Sequence, residues 1–180
     1  KNKKKTLAVV GLGYVGLPLA VEFAAAGYDT LGIDLDSKKV KSINDGHNYI
    51  EDIPNDRFQK CHQSGKLKAE TTYNHIGEMD VVYICVPTPF TDNKEPDVSF
   101  IVSASEGIAS GLRKEQLVIL KSTTFPETTE KVTMPILDKK GLKVGTDYYL
   151  AFSPERIDPG NKKFTTANTP VVVGGVTQRC

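Results

Sequence analysis

The chain has 180 residues, the span of one ordinary domain, and its 39% hydrophobic and 25% charged residues exclude a disordered polypeptide and provide for a sizeable core. Twenty-three Lys and Arg against 22 Asp and Glu leave a net charge of +1, too weak a field for a protein that works by electrostatic capture of nucleic acid. Three cysteines, Cys61, Cys85 and Cys180, show neither paired nor zinc-ligand spacing, which suits a reducing cytoplasm and excludes a disulfide framework.

At the amino terminus, Lys1, Lys3, Lys4 and Lys5 precede an apolar stretch from Thr6 to Val21, an order like that of a secretory signal. Gly11, Gly13, Gly16 and Pro18 interrupt it, and Glu22 ends it short of the roughly 20 residues that a bilayer requires. Neither a leader nor a membrane span is expected, and the lysines read as a solvated run.

Short β-branched runs then alternate with amphipathic ones, the pattern of βαβ units around a parallel sheet. Strands are predicted at Thr6–Val10, Thr30–Ile33, Leu67–Thr71, Asp80–Val86, Leu117–Leu120, Tyr148–Phe152 and Pro170–Val173. Helices are predicted at Tyr14–Ala26, Ser37–Ile43 with Ser37 as cap, Asp56–Ser64, Val98–Leu112 and Glu127–Leu137. Pro18 is expected to distort the first helix slightly, and Pro135 lies near the end of the last one. Asn48–Pro54 and Thr91–Asp97 read as irregular. A further helix is expected to start within Gly174–Cys180, so the chain reads as a piece of a longer polypeptide.

Gly11-Leu12-Gly13-Tyr14-Val15-Gly16 is a G-x-G-x-x-G turn directly between a predicted strand and a predicted helix. Gly11 permits the tight turn, Gly13 lets a pyrophosphate approach the backbone, and Gly16 allows close packing of helix on strand. The free N–H groups of the helix's first turn then hold phosphates without a lysine. Asp34 ends the second strand eighteen residues after Gly16, placed to accept hydrogen bonds from ribose hydroxyls and to repel a 2′-phosphate. Together these features predict a dinucleotide site that favours NAD over NADP. The alternatives are a glycine loop without ligand and, for Asp34, a helix cap.

Ligands of open α/β sheets bind beyond the carboxyl ends of the strands. Three such ends carry unusual segments: Cys85-Val86-Pro87-Thr88-Pro89, Lys121-Ser122-Thr123-Thr124-Phe125-Pro126-Glu127-Thr128, and Ser153-Pro154-Glu155-Arg156-Ile157-Asp158-Pro159-Gly160-Asn161. Thr88, Ser122 and Thr123 offer hydroxyls toward one crevice, although turn chemistry explains many such residues equally well.

In this order and spacing, GLGYVGLPLA from Gly11, CVPTP, KSTTFPETTE and SPERIDPGN resemble the amino-terminal domain of the nucleotide-sugar 6-dehydrogenases, over nearly the whole chain. The resemblance implies a doubly wound α/β, mostly parallel Rossmann-type domain over residues 1–180, from an oxidoreductase whose central helix and UDP-binding carboxyl-terminal domain lie outside this chain. It implies oxidation of a sugar C6 alcohol to a carboxylate with two NAD⁺, through a cysteine thiohemiacetal and a thioester that water hydrolyses. Gly11, Gly13, Tyr14, Val15 and Gly16 would then contact the pyrophosphate, and Asp34 with Lys39 the adenosine ribose. Pro87, Thr88, Ser122 and Thr123 would line the nicotinamide side, with Thr123 helping to position water or a developing oxyanion. Glu155 would act as general base or water-orienting group, with Arg156 beside it toward the substrate; an ion pair between Glu155 and Arg156 or another base is the alternative.

Pro159 stands where UDP-glucose enzymes of the family usually carry a second glutamate, so ERIDPGN resembles the UDP-N-acetylhexosamine branch and favours UDP-GlcNAc or UDP-ManNAc as substrate. The family's G-G-x-C-[FL]-x-K-D segment, with its nucleophile, does not occur here. Cys85 matches a cofactor-lining position instead, and Cys61 and Cys180 match no functional one. The expected protein is cytoplasmic, forms a homodimer or larger homo-oligomer, and binds no metal, nucleic acid or membrane. A UDP-glucose or GDP-mannose dehydrogenase and a non-catalytic NAD-sensing module remain the rival readings.

Overall fold

The computed structural model describes residues 4–91, 94, 96–156 and 165–180. Lys1, Lys3 and the Ile157–Asn161 part of the last motif, Pro159 included, lie outside the described residues, as does part of the Thr91–Asp97 loop.

Strand β1 (Thr6–Val10) leads through a glycine turn into helix α1 (Gly16–Ala25) and strand β2 (Asp29–Ile33). Helices α2 (Ser37–Asn44) and α3 (Asn55–Gln63) precede β3 (Leu67–Glu70). A short 3₁₀ turn, Ile76–Glu78, precedes β4 (Val81–Ile84), and α4 (Ser99–Gly111) links it to β5 (Leu117–Leu120). Helix α5 (Met134–Asp138) precedes β6 (Tyr149–Phe152), and β7 (Gly174–Gly175) closes the sheet.

The sheet runs β3-β2-β1-β4-β5-β6-β7, parallel throughout except for the antiparallel β6–β7 pair. Chain order reverses direction between β1 and β4, and at such a switch point the loops at the strands' carboxyl ends part to leave a crevice. Strand residues alternate between two cores, which is why these strands read as continuous apolar runs. Val9, Leu67, Ala69 and Cys85 pack with α1, α2 and α3 on one face. Ala8, Val10, Val82, Ile84, Val118, Leu120 and Leu150 pack with α4 and α5 on the other. The doubly wound, mostly parallel α/β architecture follows.

Several local expectations are corrected. Helix α1 starts at Gly16, two residues later than expected, so Pro18 falls within the first turn, where no intrahelical N–H is needed, and the Leu17 and Leu19 N–H groups bond Gly13 and Val15 carbonyls undisturbed. The cap of α2 is Asp36, whose carboxylate accepts from the Lys38 N–H at 2.9 Å, and Ser37 is the first helical residue. Glu127–Leu137 is not one regular helix: Thr129–Thr133 forms a wide π-helical turn before α5. Pro135 explains this, because it has no N–H for an ordinary helical bond and its ring crowds the carbonyl four residues back. The last strand is Gly174–Gly175 and not Pro170–Val173, whose valines are exposed, and Gly174–Cys180 holds β7 and a turn where a helix was expected. Among the described residues, no helix is long and apolar enough to cross a membrane.

Candidate functional site

The glycine turn is built by contacts that only glycine permits. Gly11 adopts φ +90°, and a Cβ there would meet the Cys85 carbonyl oxygen at 2.7 Å. A Cβ on Gly16 would lie 1.8 Å from the Gly11 carbonyl oxygen, so the start of α1 can approach β1 only without a side chain. Gly13 differs: beyond its two chain neighbours, none of the described residues comes within 4 Å of its Cβ position, which leaves that side of the turn open to a ligand.

Asp34 braces this turn. Its Oδ2 accepts from the Leu12 N–H at 2.8 Å and from Lys39 Nζ at 3.2 Å, and its Oδ1 accepts from the Asp36 N–H at 2.9 Å. The Tyr49 hydroxyl donates to the Leu12 carbonyl at 2.7 Å from the other side. Burial, together with the negative charges of Asp34 and Asp36, pushes the Tyr49 phenol well above its ordinary range, so it stays a donor.

Across the switch point, the loops after β4 and β5 are tied together. The Ser122 hydroxyl donates to the Val86 carbonyl at 2.7 Å, and the Thr88 hydroxyl donates to the Thr123 carbonyl. Two hydroxyls expected to face the crevice are thus spent on holding its walls, while Thr123 is exposed. After β6, the Glu155 carboxylate pairs with Lys121 Nζ at 3.3 Å and accepts from the Arg156 N–H at 2.6 Å. Among the described residues, a base other than Arg156, Lys121 from the neighbouring strand end, thus forms an ion pair with Glu155.

These elements enclose one cleft of about 390 Å³. Gly11, Gly13, Tyr14, Val15, Asp34, Lys39, Pro87, Thr88, Ser122, Thr123 and Glu155, all expected at the site, line it together. Gly16 lies beneath the turn, and Arg156 is exposed outside the lining. Cys85, noted from its motif position, and Val86 also line the cleft, as does Lys121, which sequence reasoning did not single out. Its signal was a cation directly after the apolar run Leu117–Leu120. Tyr49, in a stretch read only as irregular, gave none.

The cysteines are separated by environment. Cys85 is buried, and burial pushes its thiol up to about 12 despite the cation of Lys121. Cys61 is buried with its thiol donating to the Val21 carbonyl at 3.5 Å, and burial raises it too. At Cys180 burial also opposes ionisation, but hydrogen bonds from Thr177 and the Leu150 N–H outweigh it and leave the thiol lowered. Iodoacetamide at neutral pH is therefore expected to label Cys180 first in the folded chain, with Cys61 and Cys85 protected until denaturant is added, as peptide mass mapping would read.

Comparison with known proteins gives the same assignment. The model of the UDP-glucose/GDP-mannose dehydrogenase family, NAD binding domain, matches residues 5–180. The chain is 37% identical over 174 residues to the UDP-N-acetyl-D-mannosamine dehydrogenase of Pyrococcus horikoshii, covering 96% of this chain and 41% of that protein. It is 34% identical over 176 residues to the UDP-N-acetyl-D-glucosamine 6-dehydrogenase of Pseudomonas aeruginosa, covering 97% of this chain and 41% of that one. Its fold superposes with TM-score 0.88 on the UDP-N-acetyl-mannosamine dehydrogenase Cap5O of Staphylococcus aureus, at 35% identity over 97% of this chain and 42% of that chain. The chain thus spans about two fifths of the length of these relatives.

Proposed function

Because the chain belongs to the UDP-glucose/GDP-mannose dehydrogenase family, as its NAD-binding domain, we propose that it serves a 6-dehydrogenase that oxidises the C6 alcohol of a UDP-N-acetylhexosamine to a carboxylate. The observation that carries this reading is the single cleft in which the glycine turn, Asp34, Thr123 and Glu155 meet at the sheet's switch point. The relatives that are dehydrogenases of UDP-N-acetyl sugars support the substrate class. In this reading residues 1–180 are the amino-terminal domain of a longer cytoplasmic enzyme that works as a homodimer or larger homo-oligomer. Its nucleophilic cysteine and UDP-binding domain then come from outside this chain.

The cleft fits the cofactor, since the open side of Gly13 lies at the N-terminus of α1, whose positive dipole end favours an anion. NAD⁺, when bound, supplies the two-electron acceptor for each of the two oxidations. Backbone from Gly11 to Gly16 holds the pyrophosphate, and Asp34 with Lys39 holds the adenosine ribose. Pro87, Thr88, Ser122 and Thr123 wall the nicotinamide end, with Thr123 free to orient water. Glu155 draws the proton from that water in the hydrolytic half of the reaction, and Arg156 meets the substrate from the rim.

Asp34 also sets the cofactor preference. Isothermal calorimetry is expected to show NAD⁺ binding the chain more tightly than NADP⁺, with Asp34→Ala narrowing the gap. The substitution also removes the acceptor of the Leu12 N–H, so NAD⁺ affinity should fall about 10- to 100-fold, the equivalent of one hydrogen bond to a charged group. Equal wild-type affinity for the two cofactors would remove the role given to Asp34.

The function is tested with the full-length polypeptide and a panel of UDP-GlcNAc, UDP-ManNAc, UDP-glucose and GDP-mannose, following NADH absorbance. The expected result is fastest turnover of a UDP-N-acetylhexosamine, while the 180-residue chain alone binds NAD⁺ and forms no NADH. Preference for UDP-glucose or GDP-mannose would move the substrate to another branch. A full-length polypeptide that binds NAD⁺ and oxidises none of the four would support the NAD-sensing module.

A further inference from the structure

The Lys121–Glu155 pair differs from the other ion pairs of the described residues. Its side chains are only 6% and 11% exposed, whereas every other pair has one partner at least 37% exposed. A covered ion pair is weak evidence for stability, because desolvating both charges offsets most of their attraction. What such a pair does provide is a fixed orientation for each side chain. Here both members line the cleft, at the ends of adjacent parallel strands.

Lys121 is itself rigidly placed. Its N–H bonds the Ile84 carbonyl of β4 at 2.9 Å, so its stem leaves the sheet from a position fixed by two strands. Glu155 is held less firmly by its backbone, since it follows β6 by three residues in an irregular segment after Pro154. One carboxylate oxygen is occupied by the adjacent Arg156 N–H, and the other meets Lys121. Cys85 is the third polar group at this corner. Its thiol feels both charges but is protonated, so it leaves the pair as the charged contact there.

We infer that Lys121 is a positioning residue, whose ammonium holds the Glu155 carboxylate at the inner end of the cleft and which acts on turnover only through Glu155. The inference rests on the reading of Glu155 as the group that handles water. An aliphatic replacement would take the Lys121 charge away from a covered carboxylate, and the Glu155 side chain would shift from its position in the cleft. An arginine keeps the charge and reaches the same carboxylate, so it should largely restore the geometry.

The experiment is a double-mutant cycle in the full-length enzyme, with NAD⁺ affinity measured by calorimetry alongside kcat and the KM for UDP-sugar. Lys121→Met is expected to lower kcat at least about 50-fold, with KM and NAD⁺ affinity within about threefold of wild type, and Lys121→Arg to recover most of the loss. The double variant Lys121→Met/Glu155→Gln should be no slower than Glu155→Gln alone. Circular dichroism of each variant separates misfolding from these effects, and if Lys121→Met alone fails to fold, the arginine variant and the double variant still decide. A double variant that loses activity additively, or a collapse of NAD⁺ affinity in the folded Lys121→Met, would overturn the inference and make Lys121 a ligand in its own right. Normal turnover by Glu155→Gln would instead sink the reading of Glu155, and the inference with it.

Discussion

Gly13→Val removes NAD⁺ binding from a domain that still folds and melts as before. The expectation rests on where the new side chain would go. Beyond its two chain neighbours, none of the described residues comes within 4 Å of the Gly13 Cβ position, so valine meets no distant part of the free protein and projects into the space proposed for the pyrophosphate. Calorimetry should show NAD⁺ affinity lowered by at least about 100-fold, or roughly 3 kcal/mol. Gly16→Ala serves as the contrasting control. Its Cβ would collide with the Gly11 carbonyl, so it should cost stability of about 1–3 kcal/mol or more and lower the melting temperature by several degrees. Unchanged NAD⁺ affinity in a folded Gly13→Val would show that the turn is not the phosphate site.

Glu155→Gln in the full-length enzyme should slow steady-state turnover by about 10²- to 10⁴-fold, the usual loss when a general base is removed. The two halves of the proposed reaction should respond differently. Oxidation to the thioester needs no proton transfer from water, so the first NADH equivalents should appear in a rapid burst. Hydrolysis does need it, and the slow phase should follow. The substitution keeps the side chain's size and one hydrogen-bonding oxygen, and it removes the charge opposite Lys121. A variant with normal steady-state turnover would leave Glu155 as a purely structural partner of Lys121.

Sequence alone picked out most of the residues that line this cleft because its strongest signals are local and stereochemical. The turn from Gly11 to Gly16 requires glycine for reasons visible within six residues, and Asp34 follows at a spacing set by one βα unit. β1 and β5 were predicted at their observed bounds because buried parallel strands are short runs of apolar residues, Thr6–Val10 and Leu117–Leu120, with sharp ends. The misses at the cleft and at the last strand depend on contacts distant in sequence. Nothing near Lys121 announces that its partner is Glu155, because the two meet only when β5 and β6 pair. Tyr49 reaches Leu12 across 37 residues of chain. β7 was misplaced because Gly174–Gly175 has no strand propensity of its own and is recruited by the edge of β6, whereas the β-branched Val171–Val173 are exposed and pair with no strand among the described residues.

The bracing of the glycine turn by Asp34 bears on attempts to redesign this protein. One carboxylate spans the loop that follows β1 and the first residues that lead into α2, so the residue that would read the cofactor's sugar is also a strut of the scaffold that would cradle its phosphates. With the role proposed for Asp34, coenzyme choice is not a modular trait. An engineer who exchanges Asp34 for a small or basic residue to admit NADP⁺ also loosens the Leu12 amide, and must restore it through a substitute acceptor elsewhere. Natural drift meets the same obstacle, since a single step from Asp34 to a residue without an acceptor oxygen passes through a protein with a slackened turn.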